Sequence, residues 1–287
     1  MSHPPAPSWL GLALLSAVGC TKAPLADPDA ISSMWDGDAD CVRSARRDGR
    51  ALAGSGVVLR VPSDAPWARD LSRDVFAGVG AARRFLATHG LDAGGGIEIL
   101  VCDRAVIGHA PGGPFVFLSV AMVEQGRAPW LHESLHVLLR GDRDWLTDVD
   151  EATADRDMPL WLVEGLPDYV AQSVAESTGV GNPGPFVTSL AEVDRACGAA
   201  RTEGPPEIFE QVGRPGRSEA LFGPERFENA QVFYPCSDSF VRWLAERHGL
   251  EALLAASSAT PDELATWERR TGARLEHERA LWVEHLL

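Results

Sequence analysis

The residues best suited to chemistry lie in the segment WLHESLHVLLR, where two histidines stand four positions apart and a glutamate directly follows the first. Because residues four apart share one face of an α-helix, His132 and His136 can direct ring nitrogens at one metal ion. Glu133 stands one position further round, so its carboxylate can reach a water molecule at that ion without binding the ion. The apolar neighbours predict a buried helix, and buried imidazoles and carboxylates require a partner. We therefore predict one Zn²⁺ per chain, with Glu133 as general base.

A third ligand is expected, because a catalytic zinc takes three protein ligands and keeps one position open. Glu164 lies downstream in PLWLVEGLPDYVA, on a predicted helix whose other face is apolar. A carboxylate beside such a face favours a charged partner, so we predict that this helix packs beside the first and that Glu164 completes the ligand set. The alternative is a solvated helix glutamate. Pro167 lies inside the same helix and predicts a kink.

The H-E-x-x-H motif, followed by W-L-x-E-G-x-x-x-Y, resembles the gluzincin metallopeptidases, most closely the aminopeptidase branch and its bacterial relatives with a thermolysin-like catalytic domain. The resemblance is tight over the two motifs and loose elsewhere. It implies hydrolysis of a peptide or protein substrate, with zinc held by His132, His136 and Glu164 and with Glu133 as catalytic base. Val163 stands where the aminopeptidases usually have Asn, and their G-x-M-E-N motif has no counterpart, so exopeptidase activity is not inferred.

The resemblance also implies supporting residues. Asp168 stands four residues after Glu164, where the thermolysin branch has an Asp that supports a ligating His; the alternative is a solvated Asp. Tyr234 lies roughly where the aminopeptidases place an oxyanion donor, and its alternative role is helix packing. The edge of a strand at 112–119 is implied to bind the substrate backbone, unless it is a core strand. Weaker candidates, for the oxyanion donor or the third ligand, are His109, His248, His277 and Asp148.

The elements that position these residues indicate an α+β fold, with a small mixed sheet packed on helices and followed by a helical C-terminal half. Apolar runs between turn residues predict strands at 56–62, 96–102 and 115–123. Helical periodicity predicts helices at 65–89, after Asp64 as N-cap, and at 130–140, 158–176, 187–201, 225–248 and 261–286. The expected organisation is a signal peptide at 1–19, a tether at 20–50, and one metallopeptidase domain at 51–287, divided at residue 140 between the sheet with the active-site helix and the helical half.

Composition limits the partners. The chain has 287 residues, of which 45% are hydrophobic, enough for a sizeable core. Its formal charge of −15 excludes nucleic acid and anionic lipid surfaces as partners. We expect a monomer that acts on a peptide or protein.

The N-terminus predicts export. Its apolar run, WLGLALLSAV, is shorter than the roughly 20 residues that span a bilayer. It ends in small residues before Cys20, and AVGC resembles a bacterial lipobox. We predict a signal peptide removed before Cys20 and a lipid on Cys20 that anchors the protein at the cell envelope, as its only membrane contact; ordinary secretion is the alternative.

The remaining four cysteines predict two disulfides in an oxidising compartment. Four cysteines allow three pairings, and spacing alone does not choose among them. We favour Cys41 with Cys102 and Cys197 with Cys236, because each pair lies within one half of the chain.

Two other functions remain open. One is a zinc-binding envelope scaffold or binding protein that has lost catalysis; the presence of Glu133 argues against it. The other is a non-peptidase hydrolase on the same fold.

Overall fold

The computed structural model describes residues 37–103, 108–140, 159–179, 189–214, 226–257 and 263–287. The predicted signal peptide, Cys20 and Asp148 lie outside these ranges. Within them the chain forms, in order, α1 (Asp38–Asp48), β1 (Arg50–Gly54), β2 (Val57–Val61), α2 (Ala68–Thr88), β3 (Ile97–Cys102), β4 (His109–Gly112), β5 (Phe115–Ser119), α3 (Val120–Glu124), α4 (Trp130–Arg140), α5 (Leu160–Thr178), α6 (Val193–Glu203), α7 (Pro206–Phe209), α8 (Arg226–His248), α9 (Leu250–Ser257), α10 (Glu263–Thr271) and α11 (Leu275–His285).

The strands form one mixed sheet in the order β1-β2-β3-β5-β4. The central strands β2, β3 and β5 are parallel, and the outer strands β1 and β4 run antiparallel to their neighbours. All of β5 and nearly all of β3 are buried, and their sequences are apolar apart from Glu98 in β3 and Ser119 at the end of β5. A mixed sheet followed by helices confirms the α+β prediction.

Two features of the sheet differ from the prediction. The strand predicted at 115–123 ends at Ser119, and the chain continues as α3 from Val120. The predicted substrate-binding edge at 112–119 is also wrong, because β5 lies between β3 and β4. The edge strand on this side of the sheet is β4, whose sequence HAPG contains one Pro and one Gly.

Helix α1 corrects the predicted tether at 20–50, since residues 38–48 are helical and packed on the sheet. Cys41 and Val42 bury their side chains against Leu100, Phe115 and Phe117, on a small second core. The folded unit therefore begins before residue 51.

An ion cluster fastens α1 to the sheet. The Glu98 carboxylate receives hydrogen bonds from Arg46 on α1, at 2.5 Å from Nη2, and from Arg60 on β2, at 2.5 Å from Nε. Burial alone would raise the pKa of Glu98, but the hydrogen bonds and charges of the two arginines outweigh it and lower that pKa. Glu98 is therefore ionised in the folded protein at neutral pH.

The opposite face of the sheet carries the main core, in which α2, α4, α5 and α8 pack together. Helix α4 is buried from Trp130 through Leu139, as its apolar sequence predicted. Gly78 on α2 permits this depth, because a Cβ at that position would collide with the Trp130 indole.

The helix boundaries differ from the prediction where single residues interrupt a pattern. Helix α2 begins at Ala68, so Asp64 is not its N-cap. The helix predicted at 261–286 is two helices, separated at Gly272, whose φ is 70°. Gly249, with φ 87°, separates α8 from α9. Helix α9 itself was not predicted. The helix predicted at 187–201 is observed as α6 at 193–203.

Both favoured cysteine pairs are disulfides. Cys41–Cys102 joins α1 to the end of β3, and Cys197–Cys236 joins α6 to α8. Two disulfides fit a protein of the oxidising, extracytoplasmic environment. Among the described helices, none is both long and apolar enough to cross a membrane.

Candidate metal centre

The centre forms where α4 and α5 pack side by side beneath the sheet. His132, Glu133 and His136 are buried, with exposed fractions of 2%, 6% and 7%. Their ligand atoms lie within 4.8 Å of one another, and this group can hold a metal ion. The spacing of the motif thus brings its three polar side chains together as predicted.

Glu164 approaches the histidines from α5. Its Oε2 lies 3.5 Å from His132 Nε2 and 3.6 Å from His136 Nε2, and the two Nε2 atoms are 3.0 Å apart. A circle through these three atoms has a radius of about 2.0 Å, close to the Zn–N and Zn–O distances of about 2.0–2.2 Å. The donor set of two imidazoles and a carboxylate therefore fits a small divalent metal ion with a position left for a fourth ligand.

Asp168 contacts the centre through His132. Its Oδ1 lies 2.6 Å from His132 Nδ1, and its side chain is 97% buried, so the surface alternative does not apply. Burial lowers the pKa of His132, but the charge and hydrogen bond of Asp168 outweigh it and raise that pKa. A proton on Nδ1 that is donated to Asp168 leaves the Nε2 lone pair facing His136 and Glu164. His136 differs, since its Nδ1 has no hydrogen-bond partner within the described part of the chain.

Glu133 lies beside the ligand atoms on the side of β4. Burial raises the pKa of its carboxyl group, and the negative charge of Glu164 adds to this, while the charges of the two histidines oppose it. Gly108, directly before β4, leaves space there. A Cβ at Gly108 would lie 3.3 Å from Glu133 Oε1 and 2.7 Å from Pro129 Cγ, so a larger residue would press on the carboxylate. Gly108 could not be identified from the sequence, because its contact with Glu133 and Pro129 forms only in the folded protein.

Tyr234 enters the centre from α8. Its ring centroid lies 6.2 Å from that of His132, and its hydroxyl hydrogen-bonds to Glu164. Burial, followed by the negative charges of Glu164 and Glu133, raises the pKa of Tyr234 well above its usual range, so the hydroxyl remains a donor. The structure thus brings Tyr234 to the centre.

Gly165 makes this approach possible. It follows Glu164 on α5, and a Cβ there would lie 2.6 Å from the carbonyl oxygen of Ser237 on α8. The two helices therefore touch backbone to backbone one residue after Glu164 and three residues after Tyr234.

The three histidines among the weaker candidates have other polar partners or are exposed. His109 hydrogen-bonds to Asp38 through Nε2 at 2.8 Å and stacks on Phe117. His248 Nε2 lies 3.1 Å from Glu278 Oε1, and His277 is exposed on α11. The contacts of His109 and His248 join different elements of the fold.

No protein-family model matches this chain, and no curated protein matches it significantly. The geometry of His132, Glu133 and His136 shows a group that could hold a metal ion. Membership of a peptidase family stays a prediction from the motifs.

Proposed function

We propose that this protein is a zinc-dependent peptidase of the gluzincin type, exported to the cell envelope and anchored there by a lipid on Cys20. The observation that carries the catalytic part is the triangle of His132 Nε2, His136 Nε2 and Glu164 Oε2, with the buried Glu133 carboxylate next to it. Two histidines and one glutamate are a ligand set of catalytic zinc, and structural zinc sites are usually closed by four protein ligands.

Zinc, when bound by these residues, supplies a Lewis acid that polarises a carbonyl group and acidifies a water molecule. The ligands themselves must be unprotonated at the donor atoms. In the neutral imidazole of His132, Asp168 favours the tautomer that carries its proton on Nδ1, so that Nε2 is the atom available to a metal ion.

Glu133 acts as general base in this proposal. Its carboxylate takes a proton from the attacking water and later donates it to the leaving amine. The raised pKa that burial gives Glu133 suits both halves of that transfer, since a base with an ordinary glutamate pKa would hold the proton poorly near neutral pH.

Tyr234 is the proposed donor to the oxyanion that develops on the scissile carbonyl. Its hydroxyl is protonated and lies within hydrogen-bond reach of Glu164, one of the three proposed ligands. A donor in a buried position acts through a low local dielectric, which makes such a hydrogen bond worth more than in water.

The proposed substrate class rests on the motif resemblance and on the charge of the chain. A peptide or protein is favoured by the motif resemblance, and the acidic chain, with formal charge −15, disfavours nucleic acid. A metal-holding scaffold without catalysis is the second candidate, and no described contact specifically favours it.

Two measurements test the proposal together. Metal analysis of purified protein should find one zinc per chain, and a broad peptide library should be cleaved. Glu164→Ala removes an anionic ligand, so zinc binding and cleavage should fall together. A protein that holds zinc and cleaves no peptide would contradict the peptidase proposal in favour of the scaffold. A Glu164→Ala variant with full zinc and activity would contradict the ligand set.

A further inference from the structure

The two disulfides differ in their exposure. Cys197 and Cys236 are both fully buried, between α6 and α8. Cys102, at the end of β3, is partly exposed, and its partner Cys41 on α1 is 7% exposed. A thiol reacts with a disulfide only where it can reach one of the two sulfur atoms. In the folded protein, Cys41–Cys102 is therefore the disulfide that a thiol from solution can approach.

A cavity leads to this disulfide. It lies beside α1 at the carboxyl ends of the parallel strands β2 and β3, has a volume of about 600 Å³, and is lined by both cysteines. Its walls include the exposed side chains of Arg43, Arg47 and Asp103. Sites of about 300–1,000 Å³ admit small organic molecules, so the cavity has room for a dithiol.

The same disulfide fastens α1 to the sheet. It closes a separation of 61 residues, and such long closures restrict the chain strongly. The other ties between α1 and the sheet include the packing of Val42 in the small second core and the ion pair of Arg46 with Glu98. Most of the remaining side chains of α1 are exposed or partly exposed. A helix of 11 residues is marginal in water by itself, so α1 depends on these ties.

Helix α1 is connected to the metal centre through β4. Asp38 Oδ2, in the first turn of α1, lies 2.8 Å from His109 Nε2 at the start of β4. His109 directly follows Gly108, where a Cβ would lie 3.3 Å from Glu133 Oε1. A continuous path of contacts therefore joins α1, the beginning of β4 and the Glu133 carboxylate.

We propose that Cys41–Cys102 is a thiol–disulfide exchange site, at which a dithiol reductant releases α1 from the sheet and thereby loosens β4 beside Glu133. A thiolate of the dithiol attacks Cys102 Sγ, the more exposed sulfur, the S–S bond breaks, and Cys41 leaves as a thiolate. The second thiol of the reductant attacks the mixed disulfide and releases Cys102. Two electrons and the two thiol protons pass from the reductant to the cysteines, and the reductant leaves as a disulfide. The proposal goes beyond the peptidase activity and does not depend on it.

Selective reduction tests the exchange site. The folded protein is exposed to dithiothreitol for timed intervals and alkylated, and peptide mass analysis then follows both disulfides in the same molecules. Cys41–Cys102 should be reduced about 100-fold or more faster than Cys197–Cys236, because a buried disulfide reacts only after the surrounding structure opens. Equal rates, or faster reduction of Cys197–Cys236, would overturn the proposal.

Hydrogen exchange of Cys41→Ala/Cys102→Ala, measured without a reductant, tests the release of α1. Amides of α1 and β4 should exchange about 10-fold or more faster than in the wild type, and by a larger factor than those of α8. Cys197→Ala/Cys236→Ala is the matched control and should raise exchange in α6 and α8 instead.

Should the first double variant fail to fold, the same amides are measured in wild-type protein in which Cys41–Cys102 alone has been reduced. Unchanged exchange in α1 or in β4 of the folded protein without this bond would overturn the proposal. Neither experiment involves a substrate, so a failure of the peptidase proposal would be recognised separately, as zinc binding without peptide cleavage.

Discussion

Replacing Gly165 with alanine should destabilise the protein, although alanine is the better helix former. An alanine Cβ would lie 2.6 Å from Ser237 O and 2.7 Å from its carbonyl carbon, both backbone atoms of α8. Carbon atoms reach comfortable contact at about 3.5 Å, so α5 and α8 would have to separate by about 0.8 Å. Overpacking of this kind costs about 1–3 kcal/mol, which exceeds the gain in helix propensity of at most about 1 kcal/mol. Because Glu164 and Tyr234 meet at the same helix contact, zinc affinity should fall as well.

Gly198 provides the matched control. It also lies inside a helix, α6, but a Cβ there would have nothing within 4 Å. Gly198→Ala should therefore stabilise the protein by about 0.5–1 kcal/mol and leave zinc affinity unchanged. Urea unfolding of both metal-free variants gives the two free energies. If Gly165→Ala proves as stable as Gly198→Ala, the close helix contact does not exist and the argument fails.

Three further predictions follow from the contacts. Tyr234→Phe should retain one zinc per chain while kcat falls about 10²- to 10³-fold, and an unchanged kcat would leave Tyr234 with a packing role only. Replacing Cys197 and Cys236 together by alanine should lower the free energy of unfolding by about 2–4 kcal/mol in urea titrations, because the 39-residue separation is no longer closed; equal stability would contradict this. The lowered pKa of Glu98 means that its charge stabilises the fold above the ordinary glutamate pKa of about 4.3 and that this contribution is lost as pH falls through the lower folded value. The wild type should therefore lose stability in acid more steeply than Glu98→Gln, and parallel pH profiles of urea unfolding would refute this.

The metal centre could be predicted from the sequence where local geometry determines it. The position of His136 relative to His132 follows from the helical repeat, and burial of α4 follows from its apolar residues. Predicting Glu164 as a ligand required the further assumption that two helices pack side by side. That assumption came from the chemistry of carboxylates, because a carboxylate beside an apolar helix face favours a charged partner. Both disulfides were favoured because each pair of cysteines lies within one half of the chain, and both are present.

The parts that escaped prediction depend on contacts between distant segments. Helix α1 has a polar sequence, and among its apolar residues only Cys41 and Val42 are deeply buried. Its hydrophobic periodicity therefore gave little indication of a helix. Its attachment to the sheet involves Glu98, which is distant in the sequence. Strand β4 contains Gly and Pro and pairs irregularly with β5, which is characteristic of an edge strand but reads locally as a turn.

Activity of Glu133→Gln, compared with the wild type, tests the central claim most directly. Glutamine keeps the size of the side chain and removes its ability to accept a proton. The variant should hold one zinc per chain, as the wild type does, while peptide turnover falls by about 10²- to 10⁴-fold, the range expected for a lost general base. Glu133→Gln protein that contains zinc and cleaves peptides at the wild-type rate would contradict the account.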